Sequence, residues 1–543
     1  MGVEVPRFMA KAPVPLAFGT SGLRGLVTDM TDLEVGINVA GFLRFLRRAG
    51  MIEAGCPVAV ARDLRHVDPK SGLVSSPRIA AAAASAIERE GYRVINAGTI
   101  PTPALAYFAT GRRTPTDDRW PGPMPAVMVT GSHIPADRNG VKFYRPDGEV
   151  LKGDEPGILA AVAEVRRALY SATASSSAYD SEGALTSPSP LPPVVPEAAR
   201  MYVERYTRLW HRSDRPLSGL KVVVYEHSAV GRDLLVEVLE SAGVDVVREE
   251  RSETFVAVDT EDVSPDEEAH YARLVARHGA HALVSTDGDG DRPLVVDETG
   301  RFHRGDVLGA VVAEWLGADY AAIPVSTNDA VELHFARTGG LKLASTQIGS
   351  PYVIQAMNEA RTQGFTKVVA WEANGGFLTG ADFNVGDGFL TALPTRDAML
   401  PILGALFSAQ AADDRRMSSV FGRFPDRRTR AGLIDDFPRA RALAILARLR
   451  PAGGEERIAP EVERCFSAIP SLGTVDRMNS VDGVRIYFSG GDVIHFRASG
   501  NAPQFRVYVV SATQERADEI VKLCVRHPDG VVYRLGDLSL ACD

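Results

Sequence analysis

Cysteine is scarce in this sequence. Only four cysteines occur in 543 residues, and they stand far apart at Cys56, Cys465, Cys524 and Cys542, with no Cys-x-x-Cys pair. Disulfide frameworks and thiolate zinc sites both need clustered cysteines. We therefore expect a protein of a reducing compartment that has neither a disulfide framework nor a zinc site.

Long apolar runs and concentrated positive charge are also missing. Glu314 and Asp319 interrupt the best candidate for a membrane-spanning stretch, and the N-terminal residues contain no apolar core of signal-peptide length. The formal net charge is −9 and no long basic stripe occurs, which disfavours a broad nucleic-acid or anionic-membrane surface. The sequence predicts a cytoplasmic soluble protein with no nucleic-acid or membrane partner.

Alternation of apolar strands and amphipathic helices is what the sequence does contain. One unit of strand, polar loop, helix, glycine and second strand begins near Pro57 and recurs from Leu220 and from Tyr320. Val-rich strands that alternate with helices are typical of βα units and buried, mostly parallel sheets. We predict three related α/β domains with mostly parallel mixed sheets.

The C-terminal part has a different pattern. Two strand-like stretches flank Gly490-Gly491, a third follows in "QFRVYVVS", and "ATQERADEIVKLCVRH" has helical character. This pattern predicts a small α+β domain with an antiparallel sheet.

A Ser/Pro-rich stretch lacks periodicity and is expected to be a linker, either mobile or wrapped on the surface. The predicted division is α/β domain I at 1–169, linker at 170–199, α/β domain II at 200–304, α/β domain III at 305–425 and the α+β domain at 430–543.

"STDGDGDRPLV" is the sharpest local signal. Asp287, Asp289 and Asp291 alternate with glycines after an apolar strand, and three close carboxylates repel one another unless a cation lies between them. Oxygen-only ligands favour Mg²⁺ or Ca²⁺ over zinc. Glu298 has EF-hand spacing, but Arg292 replaces the required glycine and both flanks resemble strands. A solvated acidic turn is the simpler alternative.

"RASGNAPQFR" is a second candidate site. One turn between two strands combines two guanidiniums, a hydroxyl, an amide and backbone N–H groups that glycine leaves accessible. Its residues are Arg497, Ser499, Gly500, Asn501 and Arg506. Guanidinium forks match phosphate oxygens. The pattern favours a phosphate cradle, and an ordinary hairpin with surface arginines is the alternative.

Two further loops carry weaker signals. Glu372 and Asn374 follow the strand "KVVAW" and precede two glycines, so they could bind vicinal sugar hydroxyls or only cap a turn. "FGTSGLRG", which ends beyond Arg24, suggests backbone close to an anion. It matches neither the dinucleotide-binding fingerprint nor a P-loop.

"VTGSHIPADRNGVKFY" places Ser132 and His133 side by side in a loop at a strand end. It is not a nucleophile elbow of the G-x-S-x-G type. Because adjacent side chains seldom aim at each other, we expect His133 to organise the loop rather than to act as a base. Ser132 makes better sense as a carrier of a phosphoryl group, whose charge Arg292, Lys142 and a metal ion would offset.

Along the chain, the serine loop, the aspartate loop, the glutamate loop and the arginine loop around Arg497 follow one another in an order that resembles the α-D-phosphohexomutase superfamily. The resemblance covers nearly the whole chain. The serine loop is similar to "TASHNP", the aspartate loop to "DGDxDR" and the glutamate loop to "GExSG". "RDLR", with Arg62, Asp63 and Arg65, is similar to the superfamily's "GRDxR", and "GTIPTP" to another of its segments. The resemblance implies four domains around a central cleft.

The resemblance also implies an activity. It predicts an enzyme that interconverts hexose 1-phosphate and hexose 6-phosphate, of mannose or glucose, through a phosphoserine and a 1,6-bisphosphate intermediate, for nucleotide-sugar and polysaccharide synthesis. Mg²⁺ and glucose 1,6-bisphosphate or mannose 1,6-bisphosphate would be cofactor and activator. Small-molecule hexose phosphates would be its partners, and the protein would be a monomer or dimer.

Roles for single residues follow from the same resemblance. Phospho-Ser132 and the three aspartates would bind the metal, and Lys142 or Arg24 would assist proton transfer, with Lys142 favoured because arginine rarely releases its proton. Arg292 and Glu372 would bind substrate. The remaining substrate-binding residues would be Asn374, Arg497, Ser499, Gly500, Asn501 and Arg506.

Several residues depart from the superfamily pattern. Gly131 and Ile134 replace the usual Ala and Asn, Asn374 replaces serine, and Gly376 and Ser350 stand where some relatives carry histidine. Because of these departures, the sequence does not identify which sugar phosphate is the substrate. A phosphoglucosamine or phosphopentose mutase, a phosphatase or other phosphotransferase, and a catalytically silent phosphosugar-binding protein remain as alternatives.

Overall fold

The computed structural model describes residues 5–9, 12–18, 22–111, 122–210, 214–450, 458, 460–499 and 503–538. The chain forms two compact units. Unit one comprises Met1–Tyr320 and Met357–Phe421, and unit two comprises Ala321–Ala356 and Gly422–Asp543. Across the described ranges, no helix has both the length and the apolar character needed to cross a bilayer.

The first region of unit one is an α/β domain. Its elements are β1 (Ala17–Phe18), β2 (Gly22–Leu26), α1 (Asp32–Arg48), β3 (Pro57–Arg62), α2 (Ser76–Arg89), β4 (Arg93–Thr99), α3 (Thr102–Thr110), β5 (Ala126–Val129), β6 (Arg138–Arg145), β7 (Gly148–Glu149) and α4 (Glu155–Tyr170). The sheet order is β1-β2-β6-β5-β3-β4, with β7 beside β6. β3 runs parallel to β4 and β5, and the other pairs are antiparallel.

Local signals in the sequence explain these elements. The Thr31 hydroxyl caps the N-terminus of α1 by accepting a hydrogen bond from the Glu34 amide, and basic residues occupy the last turn of the helix. The four inner residues of β3 and all of β5 are buried, and they are valine, alanine and methionine. Apolar faces of α1, α2 and α4 pack with these strands in one core.

The Ser/Pro-rich segment lies on the surface of this domain. The Gly183 carbonyl accepts a bond from the Leu33 amide at 2.9 Å, and the Val195 amide donates to the Asn96 carbonyl at 2.9 Å. Tyr179 is buried in the same core. Of the two expectations for this segment, the structure shows the one in which it wraps the surface.

The second region of unit one begins with α5 (Glu197–Thr207). It continues through β8 (Lys221–His227), α6 (Arg232–Ser241), β9 (Asp245–Arg251), α7 (Pro265–His278), β10 (Ala282–Thr286), β11 (Pro293–Asp297) and β12 (Phe302–His303). The sheet order is β12-β11-β10-β8-β9, with parallel pairs among β10, β8 and β9 and antiparallel pairs on the β11 side. Mixed sheets are therefore confirmed in both regions.

The third region is divided between the units. Its elements are α8 (Gly305–Trp315), β13 (Tyr320–Pro324), α9 (Asp329–Thr338), β14 (Lys342–Thr346), α10 (Ser350–Thr362), β15 (Val368–Trp371), β16 (Phe377–Thr379), β17 (Phe383–Val385), β18 (Gly388–Leu390), β19 (Leu393–Asp397), α11 (Met399–Ala411) and α12 (Met417–Phe421). In unit one, β16 lies between β15 and β19 and is antiparallel to both.

The remainder of unit two is α+β, as predicted. It contains β20 (Arg428–Ile434), α13 (Arg439–Leu449), α14 (Pro460–Arg464), a 3₁₀ turn (Cys465–Ala468), β21 (Val475–Asn479), β22 (Val484–Phe488), β23 (Val493–Ala498), β24 (Phe505–Ser511), α15 (Gln514–Val525) and α16 (Val531–Asp537). The antiparallel sheet has the order β20-β24-β23-β22-β21. The predicted hairpin and third strand correspond to β22, β23 and β24.

Candidate active site

Ser132 lies in the loop that follows β5 and is almost fully buried. Its φ angle is 56°, in the left-handed region that non-glycine residues seldom adopt. The Ser132 amide donates to the Thr130 hydroxyl at 2.8 Å, which helps to fix this turn. Such backbone strain at a buried polar residue points to a functional constraint.

Asp63 and Arg65, of the "RDLR" stretch, hold the serine loop. Arg65 Nη2 donates to the Ser132 carbonyl at 2.7 Å and Nη1 to the Pro135 carbonyl at 2.9 Å, while Nε pairs with Asp63 at 3.1 Å. A Cβ on Gly131 would lie 2.7 Å from Arg65 Cζ. The departure from alanine at position 131 therefore makes room for this guanidinium.

His133 contacts the serine directly. Its Nδ1 lies 3.2 Å from Ser132 Oγ, so the expectation that these adjacent side chains would not aim at each other was wrong. The left-handed turn at Ser132 brings the two side chains together. Burial, followed by the charge of Arg292, lowers the pKa of His133 to about 4, which leaves a neutral imidazole at neutral pH.

The aspartate loop joins β10 and β11, which form an antiparallel hairpin. Strands on both flanks confirm that the loop is not an EF-hand. Asp287 Oδ1 accepts bonds from the Asp291 and Arg292 amides, and its Oδ2 accepts the Ser132 hydroxyl at 2.5 Å. The serine and aspartate loops, predicted to act together from distant parts of the sequence, are thus in contact.

The aspartate side chains suit a cation. Ligand oxygens of Asp287, Asp289 and Asp291 lie within 4.8 Å of one another, and all three residues are buried. Oδ1 of Asp289 and Oδ1 of Asp291 have no hydrogen-bond partner among the described residues. Burial and the two neighbouring carboxylates raise the pKa of Asp287 well above its usual value. The loop could therefore hold a divalent metal through oxygen ligands.

Lys142 lies on β6 rather than in the serine loop. Its Nζ donates to Asp289 and Asp291, both at 2.7 Å. Burial alone would lower the pKa of Lys142, but the two carboxylates outweigh it and the pKa is raised. Lys142 is therefore protonated at neutral pH.

Arg24 and Arg292 add positive charge beside the aspartate loop. Arg292 Nε lies 3.7 Å from Asp291 Oδ1. Arg24, on β2, is solvent-exposed, yet partial enclosure by protein and then the charges of Arg292 and Arg396 lower its pKa. Residues 19–21 of the glycine-rich stretch before it lie outside the described residues.

Glu372 and Asn374 lie in the tight turn between β15 and β16. The Asn374 side-chain oxygen accepts the Gly376 amide at 3.0 Å, and the Asn374 carbonyl accepts the Thr260 hydroxyl at 3.1 Å. The Asn374 oxygen thus stabilises the turn, as the simpler interpretation expected. Glu372 is held by Arg396, whose Nη1 lies 3.2 Å from Glu372 Oε1.

The C-terminal candidates lie in unit two. Arg497 on β23 is the cross-strand neighbour of Arg506 on β24, and Arg497 Nε donates to Asp482 at 3.0 Å. Arg506 Nε is buried without a hydrogen-bond partner within the described ranges. Ser499 is buried just after β23, and its amide donates to the Gln504 carbonyl at 2.9 Å. The structure brings Arg497 and Arg506 together.

Gly500 and Asn501 of the predicted cradle lie outside the described residues.

Sequence reasoning missed two polar contributors. Arg396 on β19 bonds both Asp291 and Glu372, and the Thr102 hydroxyl donates to Asp289 at 2.5 Å. Thr102 belongs to the "GTIPTP" stretch, which resembled a superfamily segment and could have suggested a role. The sequence around Arg396 contains no motif that points to a functional site, because the residue lies in an ordinary strand just before a helix.

The site and the fold define a class of α/β proteins in which a buried serine contacts a loop of three aspartates that could hold a metal ion. Comparisons name the class. The family described as phosphoglucomutase/phosphomannomutase, alpha/beta/alpha domain, matches at residues 15–168 for domain I, 200–300 for domain II and 304–414 for domain III.

Individual relatives agree with this result. The chain is 38% identical over 505 residues to a phosphomannomutase of Sinorhizobium fredii, covering 93% of this chain and 97% of the relative. It is 29% identical over 426 residues to a phosphoglucosamine mutase of Symbiobacterium thermophilum, covering 76% and 82%. The chain belongs to the phosphoglucomutase/phosphomannomutase family, within the α-D-phosphohexomutase superfamily, as predicted.

A solved structure has the same fold. The phosphoglucomutase/phosphomannomutase family protein of Burkholderia thailandensis superposes with a TM-score of 0.67 at 18% identity, over 94% of this chain and 98% of that one. The prediction of three α/β domains and a C-terminal α+β domain is confirmed. Membership of the family makes the protein a phosphotransferase of the mutase type.

Proposed function

We propose that the protein interconverts hexose 1-phosphates and hexose 6-phosphates, of mannose or glucose, through phospho-Ser132 and a bound 1,6-bisphosphate. The observation that carries this proposal is the buried Ser132 hydroxyl, 2.5 Å from Asp287 in a cluster of three carboxylates. A serine in that place can carry a phosphoryl group whose charge a bound cation offsets.

The chain's own residues account for the proton transfers. When a sugar phosphate returns its phosphoryl group, the Ser132 Oγ–P bond forms and the sugar O–P bond breaks. Neutral His133, 3.2 Å from Ser132 Oγ, can accept the serine proton. Protonated Lys142 can give a proton to the leaving sugar oxygen, and Arg24 stabilises the charge on the transferring group.

We propose Mg²⁺ as the cation, held by Asp287, Asp289, Asp291 and an oxygen on Ser132. Asp289 Oδ1 and Asp291 Oδ1, which are buried and have no hydrogen-bond partner in the described part of the chain, support this assignment. When bound, Mg²⁺ would offset the charge of the transferring phosphoryl group. A hexose 1,6-bisphosphate would act as activator by phosphorylating Ser132.

We assign the phosphate that does not react to Arg497, Ser499, Gly500, Asn501 and Arg506. Like charges on directly opposed strand positions destabilise a sheet, and the Arg497 and Arg506 pair is such a case. A phosphate between two guanidinium forks would relieve that repulsion.

We assign sugar recognition to Glu372 and a further substrate contact to Arg292. The Asn374 side chain is engaged in its own turn, so its substrate contact would come from the amide nitrogen. A phosphoglucosamine mutase is the second candidate function, which the similarity to such a mutase favours. A cytoplasmic location and a monomeric or dimeric state remain predictions.

A coupled assay tests the function. Mannose 1-phosphate, glucose 1-phosphate and glucosamine 1-phosphate are supplied in turn with Mg²⁺ and a trace of glucose 1,6-bisphosphate, and 6-phosphate formation is followed. The proposal expects the highest kcat/KM for mannose or glucose. Release of inorganic phosphate without isomerisation would indicate a phosphatase, and binding without turnover a silent binding protein.

A further inference from the structure

Arg396 is a buried arginine for which the proposed reaction has no assigned role. Its Nη2 and Nε donate to Asp291 Oδ2 at 2.9 and 3.2 Å, and its Nη1 donates to Glu372 Oε1 at 3.2 Å. A single guanidinium therefore joins the aspartate loop to the sugar loop. The planar guanidinium directs three different nitrogens at the two carboxylates, a fixed arrangement that the single ammonium of a lysine does not reproduce.

The stem of the same side chain fills the space beside Gly376. A Cβ on Gly376 would lie 2.7 Å from Arg396 Cδ, 2.8 Å from Cγ and 2.9 Å from Cβ. These separations are shorter than any normal carbon contact. The sugar loop therefore cannot carry a side chain at position 376, and the group that lies there comes from β19 instead.

Side-chain hydrogen bonds hold the residues on both sides of Arg396. The Thr395 hydroxyl donates to Glu149 at 2.5 Å. Asp397 accepts the Tyr202 hydroxyl at 2.5 Å and the Met399 amide at 3.1 Å. Partners that lock the neighbours of a functional side chain fix its direction, so the Arg396 fork is held in place before any ligand binds.

Charge balance alone does not explain this geometry. Lys142 already donates to Asp291 and Asp289, so the aspartate loop has a cation without Arg396. Arg396 differs from Lys142 in its further bond to Glu372. Orientation of the Glu372 carboxylate is therefore the distinctive consequence of the arginine.

We propose that Arg396 positions Glu372 for binding of the sugar hydroxyls, and that position 376 is glycine because Arg396 occupies its side-chain space. This inference rests on the proposed function, since it assigns sugar recognition to Glu372. Arg396 is a positioning residue because it acts through Glu372.

Calorimetric titration with the hexose 1-phosphate that the wild type turns over best tests the inference, in full-length protein with and without Mg²⁺. Arg396→Met should weaken binding by roughly tenfold or more in both conditions, because Glu372 loses its buried partner. KM should rise by a similar factor, with a smaller change in kcat. Arg396→Lys should retain Mg²⁺ affinity but not sugar-phosphate affinity.

Arg145→Met is the matched control. Arg145 also bridges two carboxylates, those of Asp147 and Asp154, and its side chain is similarly buried. It makes no contact with the aspartate or sugar loops among the described residues. This control should leave binding unchanged, whatever it does to thermal stability.

A double-mutant cycle tests whether Arg396 occupies the side-chain space at position 376. Gly376→Ala should weaken binding in the wild type, because the new Cβ would displace the Arg396 stem. In an Arg396→Ala background, where Cγ and Cδ are gone, the same change should cost clearly less. Equal losses in both backgrounds would overturn the spatial part of the inference.

The outcomes separate this inference from the proposed function. If the wild type neither binds nor turns over any hexose phosphate, the proposed function is wrong and the inference falls with it. If the wild type binds and Arg396→Met binds equally well, or no worse than Arg145→Met, only the inference is wrong.

Discussion

The two units hold charge in opposite ways. In unit one, Lys142 and Arg396 each contact two carboxylates, and one oxygen each of Asp289 and Asp291 has no hydrogen-bond partner among the described residues. In unit two, Arg497 pairs with Asp482 and faces Arg506 across the sheet. Clustered carboxylates suit a cation, and two facing guanidiniums suit an anion.

The largest effect should come from removing the phosphoryl carrier in unit one. Ser132→Ala should abolish interconversion, because it removes the hydroxyl that contacts Asp287 and would carry the phosphoryl group. The coupled assay with bisphosphate activator measures this loss. Ser285→Ala, at a buried serine on β10 whose hydroxyl donates to the Tyr225 carbonyl, is the control. Full activity of Ser132→Ala would refute the phosphoserine.

Weakening the cation site should have the next largest effect. Asp289→Asn removes one carboxylate and should raise the Mg²⁺ concentration for half-maximal activity by about tenfold or more. Mn²⁺ binding followed by electron paramagnetic resonance gives a readout independent of turnover. Asp297→Asn, at an aspartate paired with His303 at the opposite end of the β10–β11 hairpin, should leave both values unchanged. An identical Mg²⁺ titration for Asp289→Asn would count against the metal site.

Loss of an arginine in unit two should act mainly on substrate binding. Arg497→Ala should raise KM for the sugar phosphate by about tenfold or more and change kcat less, because a charge-assisted phosphate contact is lost. Arg516→Ala, which breaks the ion pair with Asp492 in the same unit, is the control. A fall in kcat at constant KM would contradict the assignment.

The effect on activity should be smallest for the buried histidines, which act on acid stability, and here the units behave alike. Burial lowers the pKa of His227 in unit one and of His495 in unit two, each to about 4. An unfolded histidine titrates near 6.5, so the unfolded state binds more protons between these values and stability falls as pH drops from about 6.5 to 4. Each histidine accounts for on the order of 3 kcal/mol.

Thermal unfolding at pH 7 and pH 5 measures this loss. His495→Gln should reduce the difference in Tm between the two pH values, whatever its effect at pH 7. His281→Gln, at a histidine that is exposed on the surface, should not. An unchanged difference for His495→Gln would show that its titration is not linked to folding.

Sequence alone was a good guide where one short stretch carries both the element and the chemistry. The aspartate loop follows one apolar strand and precedes another, so its carboxylates, its glycines and the hairpin could all be predicted. The hairpin around Gly490-Gly491 could be predicted for the same reason. The Ser132 loop was placed correctly at a strand end.

Properties that depend on packing could not be predicted. The contact between Ser132 and His133 depends on a left-handed turn, which no local pattern indicates for serine. Arg396 reaches two loops because β19 lies beside β16, a pairing that the sequence does not specify. Nothing local to position 131 shows that Arg65 needs the space there.

The central claim is that Ser132 carries and recovers a phosphoryl group, and mass spectrometry tests it most directly. Purified protein is incubated with glucose 1,6-bisphosphate and digested, and the peptide that contains Ser132 is analysed. The account predicts the added mass of one phosphoryl group on Ser132, lost again when hexose phosphate is supplied. An unmodified Ser132 peptide in a fully active preparation would contradict it.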